Sequence, residues 1–534
     1  MLVKPNDELL DQHFDVVIIG AGINGAGIAR DAAMRGLKVL LLDKGDIGGG
    51  TSSWSTRLIH GGLRYLEHGE FGLVRESLRE REVLFHIAPH LIRPLPMLLP
   101  IYKNASRGPW TIRAGMFAYD ALSLRKSLPR HRFLTSVEAL QHAPGLNSEG
   151  LVGAALYYDA QVEFAERLVL ENALSARDHG ATVITYARVD KFIVESANVK
   201  GVEITDLPVN KSHSVRGRIT INAAGPWVDE VAGALGTKRM IGGTKGSHII
   251  VAPFPGAPAS ALYVEANSDR RPFFIIPWNT NFLIGTTDKR YEGDLDSVEI
   301  GAEEIEYLLA ETNHVVPRAH ISRDSILFTY SGVRPLAYTS NKDEQSITRR
   351  HFIHDHAPQL TNFLSIVGGK LTTYRSLSEQ AVNLVFRKLS LNSPSCTTHQ
   401  EPLPGASTSD FAKFRKQFRE QSQLAGKTVD HLLRLYGTRA AAVLKLADKH
   451  PSLLEIISDE AGSLAAEVVF AFQQELAQTL SDCLLRRTMV GLSSSLGIGE
   501  DEAAAKIARH YLGWSEARAR DEVAAYRTCQ HNRG

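Results

Sequence analysis

The glycine-rich turn near the start of the chain constrains the fold more than any other segment. Residues 16–45 read VVIIGAGINGAGIARDAAMRGLKVLLLDKG. The β-branched run 16–19 predicts a strand. Gly20, Gly22 and Gly25 form G-x-G-x-x-G, and the Ala-rich stretch beyond them predicts a helix. Gly20 suits a tight turn, Gly22 lets backbone approach a pyrophosphate, and Gly25 lets the helix pack close to the strand. The helix N-terminus offers N–H groups to phosphate. A second apolar run, 39–42, ends at Asp43, 23 residues beyond Gly20, where a carboxylate suits both hydroxyls of an adenosine ribose. A glycine triplet alone is a weak signal. Strand, triplet, helix, strand and acid in this order predict a dinucleotide site.

A chain of 534 residues exceeds a single core, so two or three domains are expected. Its 43 % apolar and 22 % charged residues predict a soluble globular protein, and a net charge of +1 points away from nucleic acid. Cys396, Cys483 and Cys529 are too far apart for a metal or disulfide pattern, which suits a reducing compartment. Residues 1–15 lack the apolar core of a signal peptide. No uncharged apolar run approaches the ~20 residues needed to span a bilayer. The run 95–102 is broken by Pro96 and Pro100.

A Gly/Ser loop follows at 46–69, and Leu73, Leu78 and Leu84 among many charges predict a helix over 70–90. Residues 163–185 read as helix then strand, 215–229 as a strand running into Ala223-Ala224-Gly225, and 248–290 as alternating strands and turns. Residues 363–388 repeat the theme of strand, glycine loop and helix. Pro394, Pro402 and Pro404 mark a linker; beyond it Pro451 is the only proline, and Leu, Ala, Glu and Arg dominate. The expected fold is α/β. A Rossmann-like cofactor domain (near 14–69, 163–229 and 363–388) interleaves with a mixed-sheet α+β substrate domain (near 70–160 and 235–360) within 1–400. An all-helical domain over 401–534 follows.

The first motif alone does not separate FAD from NAD. Three later features favour FAD. Thr51, Ser52 and Ser53 follow the second strand in a loop suited to an extended dinucleotide. The segment 222–227, with Ala224, Gly225 and Trp227, ends a strand in small residues that admit a ligand closely. Gly368, Gly369, Lys370, Leu371, Thr372 and Thr373 are expected to open a helix whose amides favour negative charge near N1–C2=O of an isoalloxazine.

At this point the chain resembles a known family. GAGINGAG (20–27), Thr51 to Ser53 with LIHGGLRYLE (58–67), KGSH (245–248), IGTTD (284–288), YSGVRPL (330–336) and GGKLTTYR (368–375) are similar to FAD-dependent, respiratory glycerol-3-phosphate dehydrogenases. The segment TLSDCLLRRTMVGL (479–492) resembles that family's C-terminal cap. Arg57 stands where Lys is expected, and Asp43 where Glu is commoner; both keep the charge. The resemblance implies an FAD site at Gly20, Gly22, Ile23, Asn24, Gly25, Asp43, Lys44, Thr51, Ser52, Ser53, His60, Gly61, Gly62, Ala224, Gly225, Trp227, Gly369, Lys370, Leu371 and Thr372.

It also implies hydride transfer from C2 of sn-glycerol 3-phosphate to the flavin, giving dihydroxyacetone phosphate. A phosphate needs cations, and a guanidinium fork suits it. Arg64, Arg334 and Lys370 are the candidates, with Tyr65 as a hydroxyl donor. Arg334, flanked by Val333 and Pro335, is expected to face an anionic ligand. His60 and His248 are both candidates for the base, because neutral imidazole accepts a proton near pH 7; Lys370 or a water is the alternative. Asp288 is read as a structural anchor. No metal site is expected.

Residues 101–132 carry Lys103, Arg107, Arg113, Arg125, Lys126, Arg130 and Arg132 against one acid, Asp120, and also Trp110, Ile112, Met116, Phe117 and Tyr119. Cations mixed with large apolar groups suit an anionic membrane surface. Peripheral attachment to the cytoplasmic face of the inner membrane, with a membrane quinone as acceptor, is therefore expected, and a homodimer is a further option. The competing readings are an oxygen-using glycerol-3-phosphate oxidase, a flavin amine or amino-acid oxidase, a non-catalytic flavoprotein and a nicotinamide dehydrogenase.

Overall fold

The computed structural model describes residues 12–67, 69–123, 126–339 and 349–531. Its mixed α/β architecture is the one the sequence predicts, built on two large sheets. The first has eight strands, with a central path Phe352–Asp355, Phe363–Val367, Lys211–Asn222, His13–Ile19, Val39–Leu42 and Thr182–Ile184. From Phe363–Val367 onward every pairing along this path is parallel. A parallel sheet is covered on both faces, so its strands read as unbroken apolar runs; Val16, Val17, Ile18, Val39, Leu40, Leu41 and Leu42 are all buried. The helix Ile23–Met34 packs between Ala165–Asp178 and Tyr374–Leu389, presenting Ala26, Ala29, Ala32 and Ala33, whose small side chains permit close approach. An antiparallel meander, Ala187–Glu195 and Asn198–Asp206, extends the sheet from Lys211–Asn222.

The second sheet has ten strands. Its path runs Leu58–Ile59, Leu151–Val162, Ile92–Tyr102, Ala261–Glu265, Pro272–Trp278, Asn281–Gly285, Thr244–Val251 and Lys289–Arg290, with Ile326–Arg334 also paired to Thr244–Val251. Pro96 and Pro100 do not break their segment. With Pro94 they take alternate positions of one strand, so the missing N–H groups fall on one edge.

The C-terminal part is built mainly from the helices Phe411–Gln421, Gly426–Leu435, Ala465–Gln474, Glu500–Leu512 and Glu516–His531. The expectation of helix alone needs one correction: Ile456–Ser458 and Ser463–Leu464 form a two-stranded ribbon, turned at Gly462 with φ +74°. Five residues of strand leave no trace in composition.

The basic segment is also corrected. In the helix Pro109–Leu122, Ile112, Met116 and Tyr119 point into the core, while Trp110 and Phe117 stay 80 % and 65 % exposed. Lys126 pairs with Asp120 and Arg107 with Glu67, so two of the cations are neutralised locally. Arg125 lies outside the described residues. Among the described residues no helix is long and apolar enough to cross a membrane.

Candidate active site

Parallel strands deliver their loops at one end, and a cavity of about 770 Å³ opens there. Gly20 follows the first strand at φ +102°, and a Cβ on it would lie 2.7 Å from the Ala223 carbonyl oxygen. A Cβ on Gly25 would lie 1.8 Å from the Gly20 carbonyl oxygen, so only glycine lets this helix meet this strand. The Asp43 carboxylate accepts from the Ala21 N–H at 2.6 Å and the Gly45 N–H at 2.8 Å. Each oxygen keeps a lone pair for a ligand hydroxyl. Burial raises the pKa of Asp43.

Of the Gly/Ser loop, Ser52 Oγ accepts from the Ile23 N–H at 3.0 Å, tying the loop to the helix start. Thr51 donates to the Val333 carbonyl at 2.7 Å. Ser53 donates to the Gly48 carbonyl at 2.6 Å and is buried away from the cavity. Asn24 Nδ2 donates to the Gly368 carbonyl at 3.1 Å, which joins the first glycine turn to the last one. Two buried polar atoms beside the cavity, Asn24 Oδ1 and Trp227 Nε1, have no hydrogen-bond partner within the protein. Lys44 pairs with Asp296 at 2.6 Å and lies over the Trp227 ring at 4.9 Å. The glycine turn, a ribose-ready carboxylate and two orphaned polar groups fit a long dinucleotide.

The far end of the cavity is cationic. Arg334 Nη1 donates to Asp288 at 3.0 Å and Nη2 to Thr286 Oγ1 at 2.9 Å. Arg349 donates to the other Asp288 oxygen at 3.1 Å. Asp288 thus anchors the loop, as the sequence reading holds, and it also serves as one carboxylate for two guanidiniums. Burial, with Arg349 beside it, pushes the Arg334 pKa down to about 10. Arg64 and Lys370 line the same wall; Lys370 donates to Ser77 Oγ at 3.2 Å and sits 4.3 Å over the Tyr65 ring. Burial would raise the Tyr65 pKa, but Lys370, Arg349 and Arg64 outweigh it and lower it.

Burial favours the neutral form of both histidines. Burial, with Lys370, Arg349 and Arg81, pushes His60 down to about 3. Burial, with Arg334 and Arg57, holds His248 well below the usual imidazole range. His248 Nε2 lies 3.0 Å from Thr56 Oγ1, its ring packs on Tyr330, and its buried Nδ1 has no partner within the protein.

The cavity gathers every residue proposed from sequence except Gly25, Ser53 and Gly61. Gly61 packs instead under Tyr119, whose hydroxyl accepts its N–H at 2.9 Å. The helix expected to open at Gly368 starts only at Tyr374. Gly368 and Gly369 have φ +77° and +103°, so they turn the chain rather than coil it. Sequence reasoning missed Arg349, marked only by the doublet Arg349-Arg350, and missed Thr56 and Tyr330 beside His248. Arg57, in place of the expected Lys, makes a buried two-pronged pair with Glu166 at 2.7 Å, a geometry that ammonium lacks.

This fold and cavity define a flavoprotein oxidoreductase. A model of FAD-dependent oxidoreductases matches residues 15–375, and a model described as the C-terminal domain of alpha-glycerophosphate oxidase matches 396–519. The cofactor is FAD. The chain is 47 % identical to a glycerol-3-phosphate dehydrogenase of Synechocystis, over 97 % of this chain and 96 % of that one. It is 38 % identical to a D-erythritol 1-phosphate dehydrogenase of Brucella abortus, over 89 % and 94 %. The solved FAD complex of a glycerol-3-phosphate dehydrogenase from Bacillus halodurans superposes with TM-score 0.79 at 28 % identity, over 98 % and 95 %. The chain belongs to the FAD-dependent glycerol-3-phosphate dehydrogenase family.

Proposed function

We propose that the protein oxidises sn-glycerol 3-phosphate to dihydroxyacetone phosphate and passes the electrons to a membrane quinone. The observation that carries the substrate assignment is the cationic wall: Arg64, Arg334, Arg349 and Lys370 line one end of the cavity, with Asp288 as the carboxylate shared by two of them. Such an excess of half-buried positive charge suits a dianionic phosphate. Bound FAD supplies the hydride acceptor. Arg334 and Arg349 hold the phosphate, Arg64 and Lys370 complete its shell, and Tyr65 donates to substrate oxygen. His248 takes the C2 hydroxyl proton through Nδ1 while Thr56 fixes the ring by accepting from Nε2. His60, held neutral beside Lys370, adds no charge that would repel these cations.

The surface supports the quinone reading. Exposed Trp110 and Phe117 stand on a helix near exposed Lys103, Arg113, Arg130 and Arg132. That mixture suits an anionic bilayer face, where a lipid-soluble acceptor is found. The test is the visible spectrum of the purified protein under anaerobic substrate addition. Bleaching by glycerol 3-phosphate at lower concentrations than by D-erythritol 1-phosphate supports the assignment, and the reverse order overturns it. Recovery of colour with a quinone but only slowly with oxygen supports the acceptor; rapid recovery with oxygen and hydrogen peroxide release makes the protein an oxidase.

A further inference from the structure

The C-terminal domain reaches the cofactor loop through a single buried acid. Asp46 lies three residues beyond Asp43, lines the cavity, and is 4 % exposed. Arg487, fully buried, donates to both Asp46 oxygens, with Nη2 at 2.8 Å. Arg486 donates to the same carboxylate through Nε and to Asp482 at 2.8 Å. Two consecutive helical side chains normally diverge by about 100°, given 3.6 residues per turn. Here Cys483–Arg487 is a π-turn, closed by the Thr488 N–H on the Cys483 carbonyl at 2.9 Å, and the widened turn brings both guanidiniums onto one acid.

The same C-terminal segment grips the loop from behind. Asp482 accepts from Tyr186 Oη at 2.6 Å, and the Tyr186 N–H donates to the Gly45 carbonyl at 3.1 Å. The Ala187 N–H donates to the Asp43 carbonyl at 2.8 Å. Burial alone would raise the Asp46 carboxyl; Arg487 and Arg486 outweigh it and keep it ionised. Without them a bare buried anion would stand beside Asp43.

We infer that Arg486 and Arg487 make the C-terminal domain a clamp for FAD: by neutralising Asp46 they position the 43–50 loop, and with it Asp43, for the adenosine half. These are positioning residues, and the inference rests on the FAD reading above. Coupling between linked sites typically changes affinity by about 5–150-fold. Arg487→Gln is therefore expected to weaken FAD binding to deflavinated protein by about tenfold, with Arg487→Lys between the two.

Linkage is reciprocal, so FAD must in turn tighten the π-turn. Cys483 sits there, fully buried, as a native reporter. In the unmutated protein FAD should slow thiol labelling of the Cys483 peptide at least tenfold, read by mass spectrometry and distinguished from exposed Cys529. The outcomes separate cleanly. An Arg487→Gln protein with a lower melting temperature but unchanged FAD affinity would make the junction merely structural and overturn the clamp. Cys483 labelling that ignores FAD would overturn it as well, without need of a variant that folds. An unmutated chain that takes up no FAD would sink the cofactor reading along with it.

Discussion

Arg334→Gln tests the phosphate assignment most directly. The guanidinium makes two side-chain hydrogen bonds, to Asp288 at 3.0 Å and to Thr286 at 2.9 Å, and a longer one to the Thr287 carbonyl at 3.4 Å, which leaves Nε and one Nη1 hydrogen for a ligand. Asp288 keeps Arg349 when Arg334 is neutralised, so no carboxylate is orphaned and the loop stays anchored. What disappears is one charge-assisted contact to substrate. Hydrogen bonds to charged groups contribute about 1.5–3 kcal/mol. At ~1.36 kcal/mol per decade this lowers kcat/KM by about 10–150-fold. Arg334→Lys keeps the charge but not the fork and should fall between. The assay is anaerobic flavin bleaching by glycerol 3-phosphate, with inorganic phosphate as competitive inhibitor. If Arg334 holds phosphate, the inhibition constant for inorganic phosphate rises by a similar factor. A loss in kcat/KM with unaltered phosphate inhibition would move Arg334 to the C2 oxygen. A change under threefold in both would leave it as nothing more than the partner of Asp288.

Four further outcomes are expected. Gly25→Ala places a methyl 1.8 Å from the Gly20 carbonyl and should abolish FAD incorporation. Gly115→Ala, in a helix with open space around the new methyl, should raise the melting temperature by an amount worth about 1 kcal/mol; an FAD-replete Gly25→Ala protein would refute the packing argument. His60 titrates near 3 in the folded protein, so below its ordinary pKa of ~6.5 the unfolded chain binds a proton that the folded chain refuses. Stability is then lost as pH falls, by about 2 kcal/mol between pH 6.5 and 5, and thermal melts of His60→Asn should show a shallower loss over that window than the unmutated protein. Trp110→Ser with Phe117→Ser should weaken binding to anionic vesicles about 30-fold, at ~1 kcal/mol for each exposed ring that inserts halfway into the lipid; unchanged sedimentation would refute attachment through this helix.

The parts of the site that were legible in sequence are local. Gly20, Gly25 and Asp43 lie within 24 contiguous residues, and backbone sterics alone assign their roles. What escaped depends on direction or on distance. Ser52 and Ser53 are adjacent and chemically alike, yet one caps the helix and the other turns inward to Gly48, and no periodicity in an irregular loop says which. The helix Pro109–Leu122 carries large apolar residues on every side, and only packing decides that Met116 is buried and Phe117 is not. The partners of Asp46 lie about 440 residues away, and nothing near Asp46 in sequence announces a buried acid.

Distance along the chain is nevertheless less arbitrary than it looks. Ile19, Leu42, Asn222 and Val367 are the carboxyl ends of four neighbouring parallel strands, and Gly20, Asp43, Ala223 and Gly368 follow them directly. In a parallel sheet all carboxyl ends lie on one edge, and ligands gather there, where neighbouring crossovers leave in opposite directions. The first strand has Val39–Leu42 on one side and Lys211–Asn222 on the other, so the glycine turn sits at that divergence. Any apolar strand followed at once by small residues, wherever it falls in such a chain, is thus a candidate for the same edge. The rule finds 223–227 and 368–372. It is silent on Arg334 and His248, because they come from antiparallel strands of the second sheet, where successive strand ends alternate between edges. For those residues chemical type has to stand in for topology, which is why Arg334 is legible in the sequence while Arg349 and its sharing of Asp288 are not.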